Sequence, residues 1–312
     1  MSKVGVITNP TSGSGRGRAW GTEALSLLAA RGHQIVDLNM GSWAGSYEAA
    51  MKARRSLDAL VVVGGDGMVH LGIQICAEKK LPLGIIAAGS GNDGAITLDL
   101  PIHDIPAAVQ RIEDGLAGEV AHVDLGKISG RRIELPAAPR YFLAVLSAGI
   151  DAAIASYARQ INFPRGPLKY KVATIREVPR YKPYGVKVTA DDQTWTQTCT
   201  LVAVANSPVF GGGLIISPES RVNDGMLELV ITEPLGKLEI GKLFPKLYDG
   251  SILGEPKVRV IRAKKITITQ AEGGAKLPPA FADGELVGGD PLTIEVAPKA
   301  LRVLGARPRE AG

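Results

Sequence analysis

Asp66 stands among glycines in "VVVGGDGMVH" (61–70). A carboxylate there can hold a cation or take a proton, and the flanking glycines let another group come close to the backbone. Two further stretches have the same syntax, "NPTSGSGRGR" (9–18) and "AAGSGNDGA" (87–95). Each follows an apolar run and leads into a helical pattern, so each offers backbone N–H groups to phosphate. In an open parallel sheet ligands sit outside the carboxyl ends of the strands. Three such loops at strand ends therefore point to a nucleotide-phosphate site. None is a Walker loop, since no Gly-Lys-Ser/Thr follows, and none has the dinucleotide fingerprint. Taken alone, Asp66 also fits the lesser role of a helix cap in a strained turn.

A second group of acids lies near the end of the chain. Asp283 and Glu285 flank Gly284 in "AFADGELVGGD". On an extended segment an i,i+2 pair points both carboxylates the same way, so one can act as a base while the other supports a metal network. Asp-Gly is also the commonest hairpin turn, which gives the same residues a purely structural role. "SRVNDGM" (220–226) offers Asp224 in another turn. The four histidines have no ligand-like spacing, and only His70 follows a phosphate loop.

The elements that must position these residues fall into two parts. The first third alternates strand and helix: strands at 3–10, 34–40, 58–65 and from 82, helices at 16–33, 46–56 with Ser46 as N-cap, 68–80 and 105–118. Fully apolar strands in such units imply a parallel sheet covered on both faces. From about residue 122 the period becomes mostly two. Strands are expected at 141–150, 184–190, 194–206, 226–232, 257–270 and 291–297, with helical patches at 151–162 and 235–250. The fold class is thus α/β plus all-β: a three-layer α/β nucleotide-binding domain over residues 1–123, with 299–312 returning to it, and an antiparallel β-sandwich over 124–298.

The bulk properties narrow the function. The 312 residues carry a net charge of +5, which suits an anionic partner. Aromatics are 5% of the chain, too few for stacking platforms that bind single-stranded nucleic acid. Two distant cysteines, Cys76 and Cys199, build neither a disulfide framework nor a thiolate cluster, so a cytoplasmic protein is expected. No signal peptide and no membrane-spanning run is visible. The stretch 159–187 combines Arg159, Arg165, Lys169, Lys171, Arg176, Arg180, Lys182 and Lys187 with Tyr157, Phe163, Tyr170, Tyr181 and Tyr184 nearby. This suits either a solvated face or peripheral contact with an anionic membrane.

The order and spacing of "NPTSGSGRGRA", "GGDG", "AAGSGND", "GGGLIISPESRVNDGMLELVI" and "AFADGELVGGDPLTIEVAPKALRVL" resemble the diacylglycerol kinase catalytic family, which includes sphingosine kinases and soluble bacterial lipid kinases. The resemblance covers nearly the whole chain. It implies ATP- and Mg²⁺-dependent phosphoryl transfer to a lipid hydroxyl, and a cleft between the two domains. It places Asn9, Pro10, Thr11, Ser12 and Gly13 in the nucleotide loop, with Gly65, Asp66, Gly67, Met68 and His70 at the phosphates. Ser42, Ser90 and Asn92 join them. Asp66 and Asp93 would serve the catalytic Mg²⁺. Asp224, with the carbonyls of Arg221 and Met226, would hold a second, structural Mg²⁺. The proton acceptor would be Glu285, Asp283 or Asp66. A homodimer is implied as well. Met68 replaces a family Thr, His70-Leu71 replace Asn-Glu, and Ser90 replaces Thr while keeping the hydroxyl. An NAD-kinase-like or sphingoid-base kinase, or a nucleotide- or lipid-binding protein without catalysis, also accommodates parts of this pattern.

Overall fold

The structure is a computed structural model and describes residues 1–132, 140–161, 163 and 168–309. It contains two compact units, one of Met1–Leu125, Arg221–Asp224 and Ala297–Gly312, the other of Gly126–Ser220 and Gly225–Val296.

The first unit opens with β1 (Lys3–Thr8), α1 (Gly17–Ala30), β2 (Gln34–Asp37) and α2 (Trp43–Ala53). It continues through β3 (Ala59–Gly64), α3 (Asp66–Cys76), β4 (Leu83–Ala87), α4 (Asp93–Thr97) and α5 (Ile105–Leu116), and β5 (Val120–Arg132) follows. β2, β1, β3 and β4 lie side by side, all parallel. Every residue of β3 is buried, which is what a central strand covered on both faces requires. Val61 and Val63 meet Leu28 of α1 and Val109 and Ile112 of α5. On the other face Gly72 of α3 comes so close to Val62 and Leu83 that a Cβ would stand 2.6 Å from Leu83. Full burial of each such Val or Leu is worth about 1.5–3 kcal/mol.

Helix starts follow local chemistry. Asp104 caps α5 by accepting from the Ala107 N–H, and Pro106 occupies the first turn, where a missing N–H costs nothing. The second helix begins earlier than the pattern suggested. Ser42, not Ser46, is its N-cap and accepts from the Gly45 N–H at 3.1 Å, while Ser46 is buried inside the helix and accepts from Met40.

The second unit holds β6 (Tyr141–Phe142), β7 (Val145–Ser147), α6 (Ile150–Gln160), α7 (Leu168–Arg180), β8 (Tyr184–Ala190) and β9 (Gln193–Cys199). Then come β10 (Val202–Ala205), β11 (Val209–Phe210), β12 (Leu214–Ile215), β13 (Leu227–Thr232) and α8 (Lys237–Leu243). β14 (Val258–Ala263), β15 (Lys265–Gln270), β16 (Ala280–Ala282) and β17 (Glu285–Leu304) complete the chain. One antiparallel row runs β14-β13-β10-β7-β16-β17, and a second runs β9-β8-β15-β17. Leu146, Val204 and Leu229 from the first row share a core with Val186, Val188, Ile266 and Ile268 from the second, which makes a sandwich. The last residues of β17 return to the first unit, where Val303 pairs parallel with Leu83.

Three expected long strands are each broken. Residues 141–150 divide into β6 and β7, and Ile150 already opens α6. Residues 194–206 divide into β9 and β10 because Thr200 turns its hydroxyl to the Leu235 N–H and to Tyr181. Residues 257–270 divide at Lys264, whose N–H is donated to Asp191. α7 lies in a stretch for which no helix was expected. Arg165 and Asn162, and the last residues of the 299–312 tail, lie outside the described residues.

Candidate active site

In the first unit two glycine loops are locked together. Asp66 opens α3, and its carboxylate accepts from the Asn92 N–H at 2.8 Å and the Gly94 N–H at 3.4 Å. One acid thereby spans the starts of α3 and α4, where helix dipoles favour negative charge. Asn92 holds the second loop in shape. It adopts the left-handed conformation that Asn tolerates, takes the Gly89 N–H on Oδ1 at 2.8 Å and donates Nδ2 to the Gly89 carbonyl. A Cβ on Gly89 would lie 2.3 Å from the Gly65 Cα. The partner for which Gly65 makes room is therefore the neighbouring loop's backbone, and the two loops form one ledge.

The first loop is a turn held by its own side chains. Asn9 Oδ1 accepts from both the N–H and the hydroxyl of Thr11, and Ser12 bonds back to the Asn9 carbonyl. Pro10 and Thr11 are exposed on it. Trp20 supports this loop: a Cβ on Gly13 would stand 2.1 Å from its ring. Arg16 lies over one side of the Trp20 ring at 4.7 Å, and His103 stacks on Trp20 with centroids 5.4 Å apart. His103 Nε2 donates to the Gly89 carbonyl at 2.6 Å. This Arg–Trp–His stack, unforeseen from the sequence, ties the first loop to the one that holds Gly89 and Asn92.

Of the other residues expected at the phosphates, Gly67 and Ser90 are exposed, and Ser42 is committed to capping α2. Met68 and His70 lie deeper. Both are buried in α3, Met68 against Gly64, and the Met68 N–H is spent on the Gly65 carbonyl. Neither side chain is presented to solvent at the loop, because the helix rotates them toward the core.

In the second unit Asp283 and Gly284 form the two-residue turn between β16 and β17, both with positive φ, as a hairpin of this type demands. The Asp283 carboxylate accepts from the Leu143 and Ala144 N–H groups, both at 2.9 Å. Glu285 goes elsewhere. It meets Arg159 of α6 at 3.3 Å and lies close enough to Tyr170 of α7 that its charge, after burial, helps raise the Tyr170 pKa. The two carboxylates thus have different partners, Asp283 the 143–144 backbone and Glu285 the Arg159 side chain. Arg221 and Asp224 lie on the turn segment of the first unit, and Met226 directly precedes β13.

Asp151 was missed. Its signal was present: an apolar strand, a glycine and an acid opening a helix, the same syntax as Asp66. Oδ1 accepts from the Gly149 N–H at 3.2 Å, while Oδ2 is buried without a hydrogen-bond partner among the described residues. Burial pushes this carboxyl's pKa up, opposed by hydrogen bonds from Ser147 and nearby backbone N–H groups.

A nucleotide-borne Mg²⁺ asks for one or two carboxylates, the remaining ligands being water and phosphate oxygens. Asp66 and the buried Asp93, which opens α4, fit that donor set. Among the described residues no group of three or more His, Cys, Asp or Glu side chains could form an all-protein cage.

Residues 3–128 match the family model described as the diacylglycerol kinase catalytic domain, and residues 144–305 match the YegS C-terminal NAD kinase beta sandwich-like domain. A Mycobacterium tuberculosis protein named diacylglycerol kinase is 30% identical over 99% of this chain and 96% of its own length. A Staphylococcus saprophyticus protein of the same name is 27% identical, over 88% of this chain and 90% of that one. A crystal structure of a provisionally named diacylglycerol kinase from Bacillus anthracis str. Sterne superposes with a TM-score of 0.75 at 25% identity, covering 97% of this chain and 96% of that one.

Proposed function

This chain belongs to the diacylglycerol kinase family of kinases with an alcohol acceptor, and on that premise we propose that it transfers the γ-phosphate of ATP to the hydroxyl of diacylglycerol, giving phosphatidic acid. The observation that carries this reading is the Asp66 carboxylate fixed across the starts of α3 and α4, on a ledge of two interlocked glycine loops. Phosphoryl transfer is mostly positioning and charge neutralisation, and a rigid ledge that fixes a carboxylate in place serves both.

Asn9–Gly13 form the nucleotide loop, and Gly65–Gly67 and Ser90 border the phosphates. Asp66, with Asp93, holds Mg²⁺, which neutralises phosphate charge when bound. Asp224 is the carboxylate for a second Mg²⁺. Glu285 accepts the hydroxyl proton. Asp283 is a poorer base because both of its oxygens hold the 143–144 backbone.

The enzyme reaches its lipid through α7. Leu168, Val172 and Ile175 follow i, i+4, i+7 spacing and are all exposed, Ile175 at 75% and Leu168 at 53%. Lys169, Lys171, Arg176 and Arg180 accompany them on the same helix, which suits an anionic bilayer surface. Tyr181 and Tyr184 take no part, since the first bonds Thr200 and the second is buried in the sandwich.

The test is transfer of labelled γ-phosphate with Mg²⁺ to diacylglycerol, sphingosine, ceramide and monoacylglycerol in mixed micelles, with NAD as control. Labelled phosphatidic acid is the expected product. Label on sphingosine or NAD alone, or on no acceptor, would overturn the reading.

A further inference from the structure

Four basic side chains line a cavity of about 520 Å³ in the first unit: Arg54 and Arg55 after α2, and Lys79 and Lys80 after α3. Leu57 and Leu81 give it an apolar floor, and Asp58 is its single carboxylate. One Asp58 oxygen is already taken by the Lys3 N–H. Among the described residues the side chains of Arg55, Lys79 and Lys80 have no ion-pair or hydrogen-bond partner. Arg54 is half-buried, reaches the Met51 sulfur and lies close enough to the buried Cys76 to oppose the burial that raises its pKa.

This cavity is not part of the site described above. Its residues precede β3 and β4, whereas the glycine loops follow them. A six-residue strand separates the two ends, about 20 Å. Basic residues at helix C-termini complement the helix dipole, and that accounts for part of the charge. It does not account for its concentration. α5 has no basic residue in its last turn, and Arg31 after α1 is engaged by Gln110. α2 and α3, which pack on each other, deliver four cations to one place against one carboxylate. Like charges gathered without counter-charges repel, and a bound anion removes that cost.

We propose that this cavity is a second ligand site, for a phosphate monoester. Guanidinium groups match phosphate oxygens in bidentate fashion, the lysines add point charges, and the leucine floor receives the organic part of the ester. The volume lies in the range of small-molecule sites. The ester is either soluble or the headgroup of a lipid.

The test titrates the full chain calorimetrically with glycerol 3-phosphate and, in a second arm, measures co-sedimentation with phosphatidylcholine vesicles containing phosphatidic acid. The variant Arg55→Gln/Lys79→Gln/Lys80→Gln changes only exposed side chains. Lys237→Gln/Lys264→Gln/Lys276→Gln removes the same charge from exposed positions elsewhere. The first variant is expected to weaken binding by about tenfold or more, the loss of charge-assisted hydrogen bonds, and the second to leave it unchanged. A loss seen in the soluble arm assigns a free ester, and one seen only with vesicles assigns a lipid headgroup. Equal binding by the first variant and the native chain, an equal loss in both variants, or no binding in either arm would overturn the proposal. Because no arm measures turnover, failure here is separable from failure of the kinase reading.

Discussion

Asp283 and Glu285 carry the same functional group two residues apart, and their surroundings give them different work. Asp283 accepts two backbone N–H bonds, so Asp283→Asn replaces one acceptor with a donor facing an N–H. A stability loss of about 1–3 kcal/mol is expected, visible as a lowered unfolding midpoint. Glu285 is half-exposed, and a surface ion pair of its kind contributes little to stability. Glu285→Gln should leave the midpoint in place while lowering kcat by about 10²-fold or more, the usual worth of a general base. If instead the stability loss falls on Glu285→Gln and the kcat loss without unfolding on Asp283→Asn, the assignment is reversed. Asp66→Asn should abolish transfer while circular dichroism stays native, and near-normal turnover would refute its metal role. At this scale the sequence was readable for residue type and opaque for direction. Asp-Gly announced a hairpin turn, and the structure has one. Nothing in the spacing showed that the Asp283 side chain would turn back to the 143–144 backbone, 140 residues away.

Helices and strands were legible wherever a local signal existed. The apolar runs of β1, β3 and β4, and the Asp-x-Pro start of α5, could be read directly. α7 could not, because its exposed residues mix apolar and basic types and Pro179 falls inside it. The breaks at Thr200 and Lys264 depend on partners 35 and 73 residues away, which no local window contains. The apolar stripe on α7 has no core to serve, and that is the basis of a prediction. Replacing Leu168, Val172 and Ile175 by Ser should leave the unfolding midpoint nearly unchanged and sharply reduce sedimentation with anionic vesicles. Unchanged vesicle binding would remove α7 from the membrane contact. The Arg16–Trp20–His103 stack makes a parallel claim for the first unit. Trp20→Ala should raise the KM for ATP more than it lowers kcat, since it loosens the first loop while leaving Asp66 anchored, and Trp20→Phe should restore part of the loss. Equal effects from Ala and Phe would refute a stacking role.

The stability of the whole molecule should carry the mark of one buried acid. Asp151, Tyr184 and Cys199 lie close enough in the second unit for their charges to repel. Burial pushes the Cys199 thiol up to about 12 and the Tyr184 phenol higher, so both are neutral at any ordinary pH. Asp151 is the member that titrates. Its pKa in the folded protein is raised, so the folded state binds the proton more tightly than the unfolded chain does. The sign then follows from linkage. Below the ordinary carboxylate range both states are protonated and Asp151 costs nothing. As pH rises through the window between the unfolded and folded pKa values, stability falls, and above the folded pKa the penalty is constant. Asp151→Asn keeps an acceptor for the Gly149 N–H and cannot ionise. It should therefore unfold at a higher temperature than the native chain at neutral pH, by about 2 °C for each kcal/mol recovered in a chain of this size. The difference should shrink to nothing near pH 4. Thermal scans of both proteins across that range, followed by a probe in the sandwich such as Trp195, decide the matter. A variant less stable than the native chain at neutral pH would overturn the prediction, because the carboxyl would then cost the folded state less than its amide replacement does.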